Sequence, residues 1–352
     1  PEIDALIGTG SWHRIMEALH AVEDGNRACI MDSITNIYNE RMPRMQTTPT
    51  YSAYVKISEG CNNGCTFCII PKVRGRYRSR SIESIVEEVT KLADMGVKEI
   101  NLIAQDTTSY GADLNNGTPM LTELLKELVK IDGIQWYRLL YLYPKYFTDE
   151  LLDVIVNEPK ICNYIDLPLQ HINDRILKRM NRKDSRADIE RLLTNVRAKT
   201  NHVTLRTSII VGFPGETDEE FKELCDFVKT VRFDNMGVFT YSREEGTPAG
   251  AMEDQVPEEV KEERYHTLMA IQAAISEENN RDLEGTHHQA IIESMEENED
   301  GTLLAKGRLE VQAPDVDGNM YIENAEGLSE GDIVPVTVVQ GFAYDVICEV
   351  EK

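Results

Sequence analysis

Cys61-Asn62-Asn63-Gly64-Cys65-Thr66-Phe67-Cys68 sets three thiols within eight residues of a 352-residue chain. Just before it, Tyr51 to Ile57 alternates and is rich in β formers, which predicts a strand. After it, Ser81 to Met95 carries Ile82, Ile85, Val86, Val89 and Leu92 at helical spacing, with Gly96 as the stop. The thiols therefore sit on a loop that leads from a strand to a helix. Four thiolates close a zinc or iron–sulfur site, whereas three leave one position of the metal centre open. An open position is what a bound substrate or cofactor needs. The structural alternative is a three-thiol zinc knuckle with a distant fourth ligand, or free buried cysteines. Phe67 is placed either to cover a metal centre with apolar surface or to fill ordinary core.

Outward from this loop the pattern repeats. Glu99–Ala104, Trp136–Leu142, Tyr164–Leu169, Val203–Val211 and Asn235–Tyr241 read as further strands. Between them lie helical stretches: one capped by Thr118 with Pro119 at its first position, then Asp149–Val156, Ile176–Met180, Ile189–Lys199, and one opened by a Thr217/Glu220 capping box. Val256–Leu283 reads as one long charged helix. Six strands alternating with helices are the signature of parallel βα units, here a partial barrel two units short of the eight-fold form. Active sites of such barrels gather at the C-terminal ends of the strands, where the cysteine loop falls.

The flanks differ. Residues 1–46 read as a helix plus short extended pieces, too little for an independent core and expected to be the tail of a larger domain. Residues 47–285 hold the βα array. Residues 286–352 break into short alternating runs between Gly, Asp and Asn turns, which predicts a small all-β barrel.

Composition limits the functions available. Hydrophobic residues at 41% support a sizeable core, and no stretch approaches the roughly 20 apolar residues of a membrane span. Sixty-one acids against 37 Lys and Arg give −24, a poor balance for gripping phosphates, so strong nucleic-acid binding is not expected. The last segment has 15 acids and 3 bases, −12, which is half the net charge. Clustered cysteines fit metal binding in a reducing compartment better than a disulfide framework. Cys29, Cys162, Cys225 and Cys348 read as small buried hydrophobes.

The cysteine spacing after the first of six βα units resembles that of the radical S-adenosylmethionine (SAM) enzymes. Longer strings are similar to their methylthiotransferases: Val55-Lys56-Ile57-Ser58-Glu59-Gly60-Cys61, Cys68-Ile69-Ile70-Pro71, Arg74-Gly75, Gln105-Asp106-Thr107, Tyr110-Gly111, Asp166 to His171, Ile210 to Thr217, and Tyr241 to Pro248. The C-terminal barrel resembles that family's TRAM domain, and the likeness covers nearly the whole chain. It implies a 4Fe–4S cluster on Cys61, Cys65 and Cys68, with SAM on the open iron. One electron then yields a 5′-deoxyadenosyl radical able to take hydrogen from unactivated carbon. The Ser58-Glu59-Gly60-Cys61 lead-in, Gln105-Asp106-Thr107 and Asp254-Gln255-Val256-Pro257 resemble the ribosomal-protein branch, whose members methylthiolate the β-carbon of an aspartate on small-subunit ribosomal protein S-twelve. Charge favours the same branch, since an acidic barrel repels RNA and attracts a Lys/Arg-rich protein. An electron-donor protein and a cytoplasmic location are implied with it.

Within that picture, Gln105 and Asp106 are candidates for the SAM amino end, or a capping turn. Gln170 is a candidate for the ribose hydroxyls, while its neighbour His171 reads as a satisfied core residue. Arg206 is a candidate for the SAM carboxylate, unless a protein carboxylate takes it. Phe239 and Tyr241 are candidates to flank adenine, and Gly212-Phe213-Pro214-Gly215 reads as a turn that lets backbone approach SAM. Arg74, Arg76, Arg78 and Arg80 either steer an acidic target or form a solvated loop. Full-length members of the family carry three further cysteines in an N-terminal domain, holding an auxiliary cluster. Only Cys29 precedes the triad here, so that second cluster is expected in the full-length protein only. The competing readings are a tRNA methylthiotransferase and a metal-binding adaptor without catalysis.

Overall fold

A computed structural model describes residues 2–47, 49–200, 203–297 and 301–351. The N-terminal piece pairs β1 (Ala5–Ile7) in parallel with β2 (Ala28–Ile30) and lays α1 (Ile15–Glu23) against them. Six parallel strands then follow in chain order: β3 (Ser52–Lys56), β6 (Glu99–Ile103), β7 (Trp136–Leu139), β8 (Tyr164–Gln170), β9 (Thr204–Val211) and β10 (Asn235–Thr240). The first three form one sheet and the last three another, joined by a parallel bridge from Tyr137 to Ile161. Two two-residue strands, β4 (Ser58–Glu59) and β5 (Arg78–Ser79), close the base of the cysteine loop. Around this arc lie α2 (Ile70–Arg74), α3 (Ile82–Asp94), α4 (Leu121–Leu128), α5 (Asp149–Asn157), α6 (Asp174–Arg179), α7 (Arg186–Lys199) and α8 (Asp218–Val231).

Residue alternation explains the layering. Val55, Ile100, Leu102, Leu139, Leu167, Leu205 and Ile209 point outward into the core shared with the helices. Their neighbours Glu99, Asn101, Arg138, Asp166 and Arg206 are buried on the inner face, so the barrel interior is polar. The helices start where their caps say. Ser81 and Thr148 accept from Ser84 N and Leu151 N, and Thr217 with Glu220 forms the expected capping box. Among the differences from the sequence reading, two concern an expected cap and a strand end. Thr118 caps nothing: its N–H closes a turn on Asn115 O, the Met120 N–H is bound to Tyr110 O at 2.6 Å, and α4 begins at Leu121. Strand β7 stops at Leu139 instead of Leu142, because Tyr141 adopts φ +60° and turns the chain out of the sheet.

From β10, α9 (Glu258–Asp282) crosses behind the arc and delivers the chain to a closed barrel of β11 (His287–Glu297), β12 (Leu303–Leu309), β13 (Met320–Glu323), β14 (Ile333–Gly341) and β15 (Val346–Val350). Its own core includes Ile292, Ala305, Met320, Ile322, Val336 and Val338. The small barrel seats on the inner face of the large one near the starts of β6, β8 and β9. Arg308 binds Glu99 through both nitrogens, at 2.5 and 3.0 Å, and also holds Glu293 at 2.6 Å. Arg138 reaches Glu99 at 3.3 Å and the carbonyl of Glu310 at 2.8 Å. Tyr164 Oη donates to Asp317 at 2.6 Å, and Tyr51, Trp136 and Leu140 pack with Ile291 and Ala313. Burial alone pushes the Glu99 carboxyl up, but the Arg308 and Arg138 charges outweigh it and hold the group down at about 2. Among the described residues no helix is long and apolar enough to cross a membrane.

Candidate active site at the cysteine loop

Loops at the C-terminal ends of the strands enclose a cavity of about 440 Å³. Cys61, Cys65 and Cys68 line it, together with Phe67, Gln105, Tyr141, Tyr143, Gln170 and Arg182. The loop is held from several sides. Gly60, at φ +77°, brings the chain so close to its neighbour that a Cβ would lie 2.3 Å from Arg76 O; only glycine fits there. Cys61 N donates to Gly75 O, Thr66 N to Met180 O, and Asn181 Nδ2 to Gly64 O at 2.8 Å. Asn63 Nδ2 donates to Asp106 at 2.8 Å, fixing the loop to the turn after β6.

Burial pushes the Cys61 thiol up to about 11 and raises Cys68 as well. Such thiols stay protonated near neutral pH until a metal displaces the proton. Two polar groups face the cavity with capacity to spare. Gln105 Oε1 is buried without a hydrogen-bond partner. The Arg182 guanidinium stacks on the Tyr143 ring at 4.0 Å, donates to Pro168 O at 2.9 Å and lies 4.0 Å from Cys65 Sγ. Sequence reasoning passed over Arg182; its place in the basic run Arg179-Met180-Asn181-Arg182-Lys183 looks like an ordinary solvated face. Gln170 reaches the cavity at φ +71°, where a side chain is strained. The buried residue after it, His171, accepts from Asn173 N at 3.0 Å and meets Glu216 at 3.2 Å.

Residues 55–228 match the Radical SAM superfamily and residues 271–350 match the TRAM domain. The ribosomal protein uS12 methylthiotransferase RimO of Pelobacter propionicus is 49% identical over 354 residues, covering 100% of this chain and 78% of that protein. This chain belongs to the radical SAM methylthiotransferase family. The like-named protein of Clostridioides difficile is 46% identical over 351 residues, covering 99% of this chain and 78% of its own. Among solved structures, coproporphyrinogen III oxidase HemN from Escherichia coli aligns over 64% of this chain and 52% of that one, at 18% identity and a TM-score of 0.47.

The family's chemistry requires a 4Fe–4S cluster and SAM, and the cavity's donor set suits both. Among the described residues, no three His, Cys, Asp or Glu side chains converge as a single metal ion demands. A cluster takes one thiolate on each of three irons, and the three thiols on one cavity wall can supply them. The unpartnered Gln105 oxygen and the Arg182 cation match the ammonium and carboxylate of an amino acid.

Several sequence expectations land elsewhere. Asp106 is buried behind the cavity, its carboxylate taken by Asn63, Thr108 Oγ1 at 2.8 Å and Ser109 Oγ at 2.6 Å; it is the capping turn. Arg206 is one layer deeper, paired with Asp166 at 2.9 Å and Asp317 at 3.5 Å, so protein carboxylates satisfy it instead of SAM. Phe239 does not line the cavity and is 55% exposed, because β10 is the free edge of the arc. Tyr241 is buried against Phe213. Gly212 is glycine because Lys261 Cγ would lie 2.3 Å from its Cβ, a contact with α9 and not with a ligand. In the arginine run, Arg80 is buried in an ion pair with Glu88, and Arg78 binds the carbonyls of Arg74, Arg76 and Asn36. Cys162, Cys225 and Cys348 are buried as expected, whereas Cys29 is exposed.

Proposed function

We propose that this chain holds a 4Fe–4S cluster on Cys61, Cys65 and Cys68, binds SAM beside it, and acts on the β-carbon of an aspartate in ribosomal protein uS12. The observation that carries this reading is the single cavity shared by the three thiols, Gln105 and Arg182, in a chain nearly half identical to uS12 methylthiotransferases. When bound, the cofactor pair supplies a carbon-centred radical able to remove hydrogen from an unactivated carbon. The side chains orient and shield. Arg182 meets the carboxylate, Gln105 Oε1 accepts from the ammonium, Gln170 serves the ribose, and Phe67 keeps water from the thiols. The 1–46, 47–285 and 286–352 divisions correspond to the tail of an N-terminal domain, the radical core and the TRAM domain. An electron-donor protein and a cytoplasmic, reducing setting complete the assignment.

The test uses uS12 deuterated at aspartate β-carbons, incubated anaerobically with the reconstituted chain, SAM and a reductant. Deuterium in the 5′-deoxyadenosine formed supports the reading whether or not sulfur is added. Cleavage of SAM with no deuterium transfer overturns uS12 as the substrate. Arg182→Gln is expected to weaken SAM binding about tenfold or more, the scale of a lost charge-assisted hydrogen bond, with the iron content unchanged. Equal SAM affinity in an equilibrium titration counts against Arg182 as the anchor.

The acidic TRAM domain is proposed to attract the basic substrate. Glu293, Glu310 and Asp317 are engaged with the large barrel or its neighbours, so the attraction rests on exposed acids such as Glu326, Glu330 and Glu349. Reversing these three to Lys should slow association with uS12 several-fold at low salt and much less at high salt. Deleting residues 286–352 is the wrong test, because it strands Glu99 and Arg138.

A further inference from the structure

Tyr141 combines three features that occur together in none of its neighbours. It is 49% exposed while Leu140, Leu142 and Tyr143 are at most 7% exposed. It lines the cysteine cavity. It holds φ +60°, a conformation that bulky side chains seldom adopt. A strained residue persists only where its surroundings over-determine it. Here Tyr141 N donates to Asp166 Oδ2 at 2.8 Å, Thr107 N donates to Tyr141 O at 3.0 Å, and Leu142 N donates to Asp166 O at 2.9 Å. Asp166 is itself fixed by Arg206, and Arg206 by Asp317 of the small barrel. A glycine would meet the same backbone bonds without strain. The ladder of carboxylates and Arg206 therefore presents a ring, not a turn.

We propose that Tyr141 is a substrate-contact residue: its ring is the wall against which the target segment of the protein substrate packs when the reactive carbon enters the cavity. The inference rests on the uS12 reading above and adds the contact to it. An aromatic face with a polar edge suits a peptide from a basic protein, since it takes backbone and aliphatic stems by area and Lys or Arg by cation–π attraction. Arg206 is a positioning residue for this ring through Asp166.

The test is equilibrium binding of labelled uS12 to the 352-residue chain with neither cluster nor SAM present, read by fluorescence anisotropy alongside the thermal midpoint. Tyr141→Gly should weaken binding about tenfold with the midpoint unchanged or raised, because glycine accepts the left-handed backbone. Tyr141→Phe should bind within about twofold of the parent. Undiminished binding by Tyr141→Gly overturns the proposal. So does a lowered midpoint accompanying the loss, which makes Tyr141 a folding residue. If the parent chain does not bind uS12, the substrate reading fails first and takes the contact with it.

Discussion

Cys65→Ala is expected to remove SAM cleavage altogether and to leave the reconstituted chain with little or no iron and sulfide. The parent should hold about four irons per chain. Cys65 is central to the loop: its thiol lines the cavity with Cys61 and Cys68, and the Arg182 guanidinium is 4.0 Å from its sulfur. Two thiolates cannot fix a cluster that needs three. The loop itself should survive the substitution, because Gly60, Asn63 and Asn181 hold it by backbone approach and by amide hydrogen bonds that do not involve Cys65. Loss of iron with an unchanged circular dichroism spectrum is therefore the predicted pair of readings. A parent chain holding zinc, or a variant that still cleaves SAM, would overturn the assignment of the triad.

The second large effect concerns stability. Glu99→Gln removes the carboxylate that faces both Arg308 and Arg138, leaving two buried guanidinium groups short of charge; Arg138 Nη2 already lacks a partner. Breaking one side of such a buried network costs about 3–5 kcal/mol. The pH dependence has a definite sign. Glu99 is held at about 2 against an ordinary 4.5. Its contribution is therefore fully present above about pH 4.5 and is lost as pH falls toward 2. A shift of that size, at about 1.4 kcal/mol per unit, amounts to about 3 kcal/mol. Urea unfolding of the parent and the variant should show a gap in stability at pH 7 that narrows below about pH 4.5. A gap that does not vary with pH would remove Glu99 ionisation as the cause. Because Arg308 belongs to the small barrel and Glu99 to β6, the variant should also become more readily cleaved between α9 and β11.

Much of this was legible in the chain. The six strands and most helices follow from local patterns: alternation, helical spacing and capping residues such as Ser81, Thr148 and Thr217 act within a few residues. The cysteine triad was legible for the same reason, its chemistry lying in a short spacing. The misreadings share a cause. Residue type leaves Arg206 and Asp106 open between SAM and a protein partner: Arg206 is taken by Asp166 and Asp317, distant in sequence, and Asp106 by Asn63 together with its own turn residues Thr108 and Ser109. Phe239, a candidate to flank adenine, lies on the free edge of an unclosed arc, 55% exposed and outside the cavity. Arg182 carried no signal until the fold brought it to Cys65.

By itself the sequence determined the βα array, the closed acidic barrel and the three-thiol loop, because each depends on interactions between residues near one another in the chain. Only the tertiary structure decided which polar side chains remain free to meet a ligand. That choice turns on the competition between a ligand and every buried partner the fold brings within hydrogen-bond reach. Arg206 and Asp106 found protein partners, whereas Gln105 Oε1 did not and Arg182 was left facing the cavity.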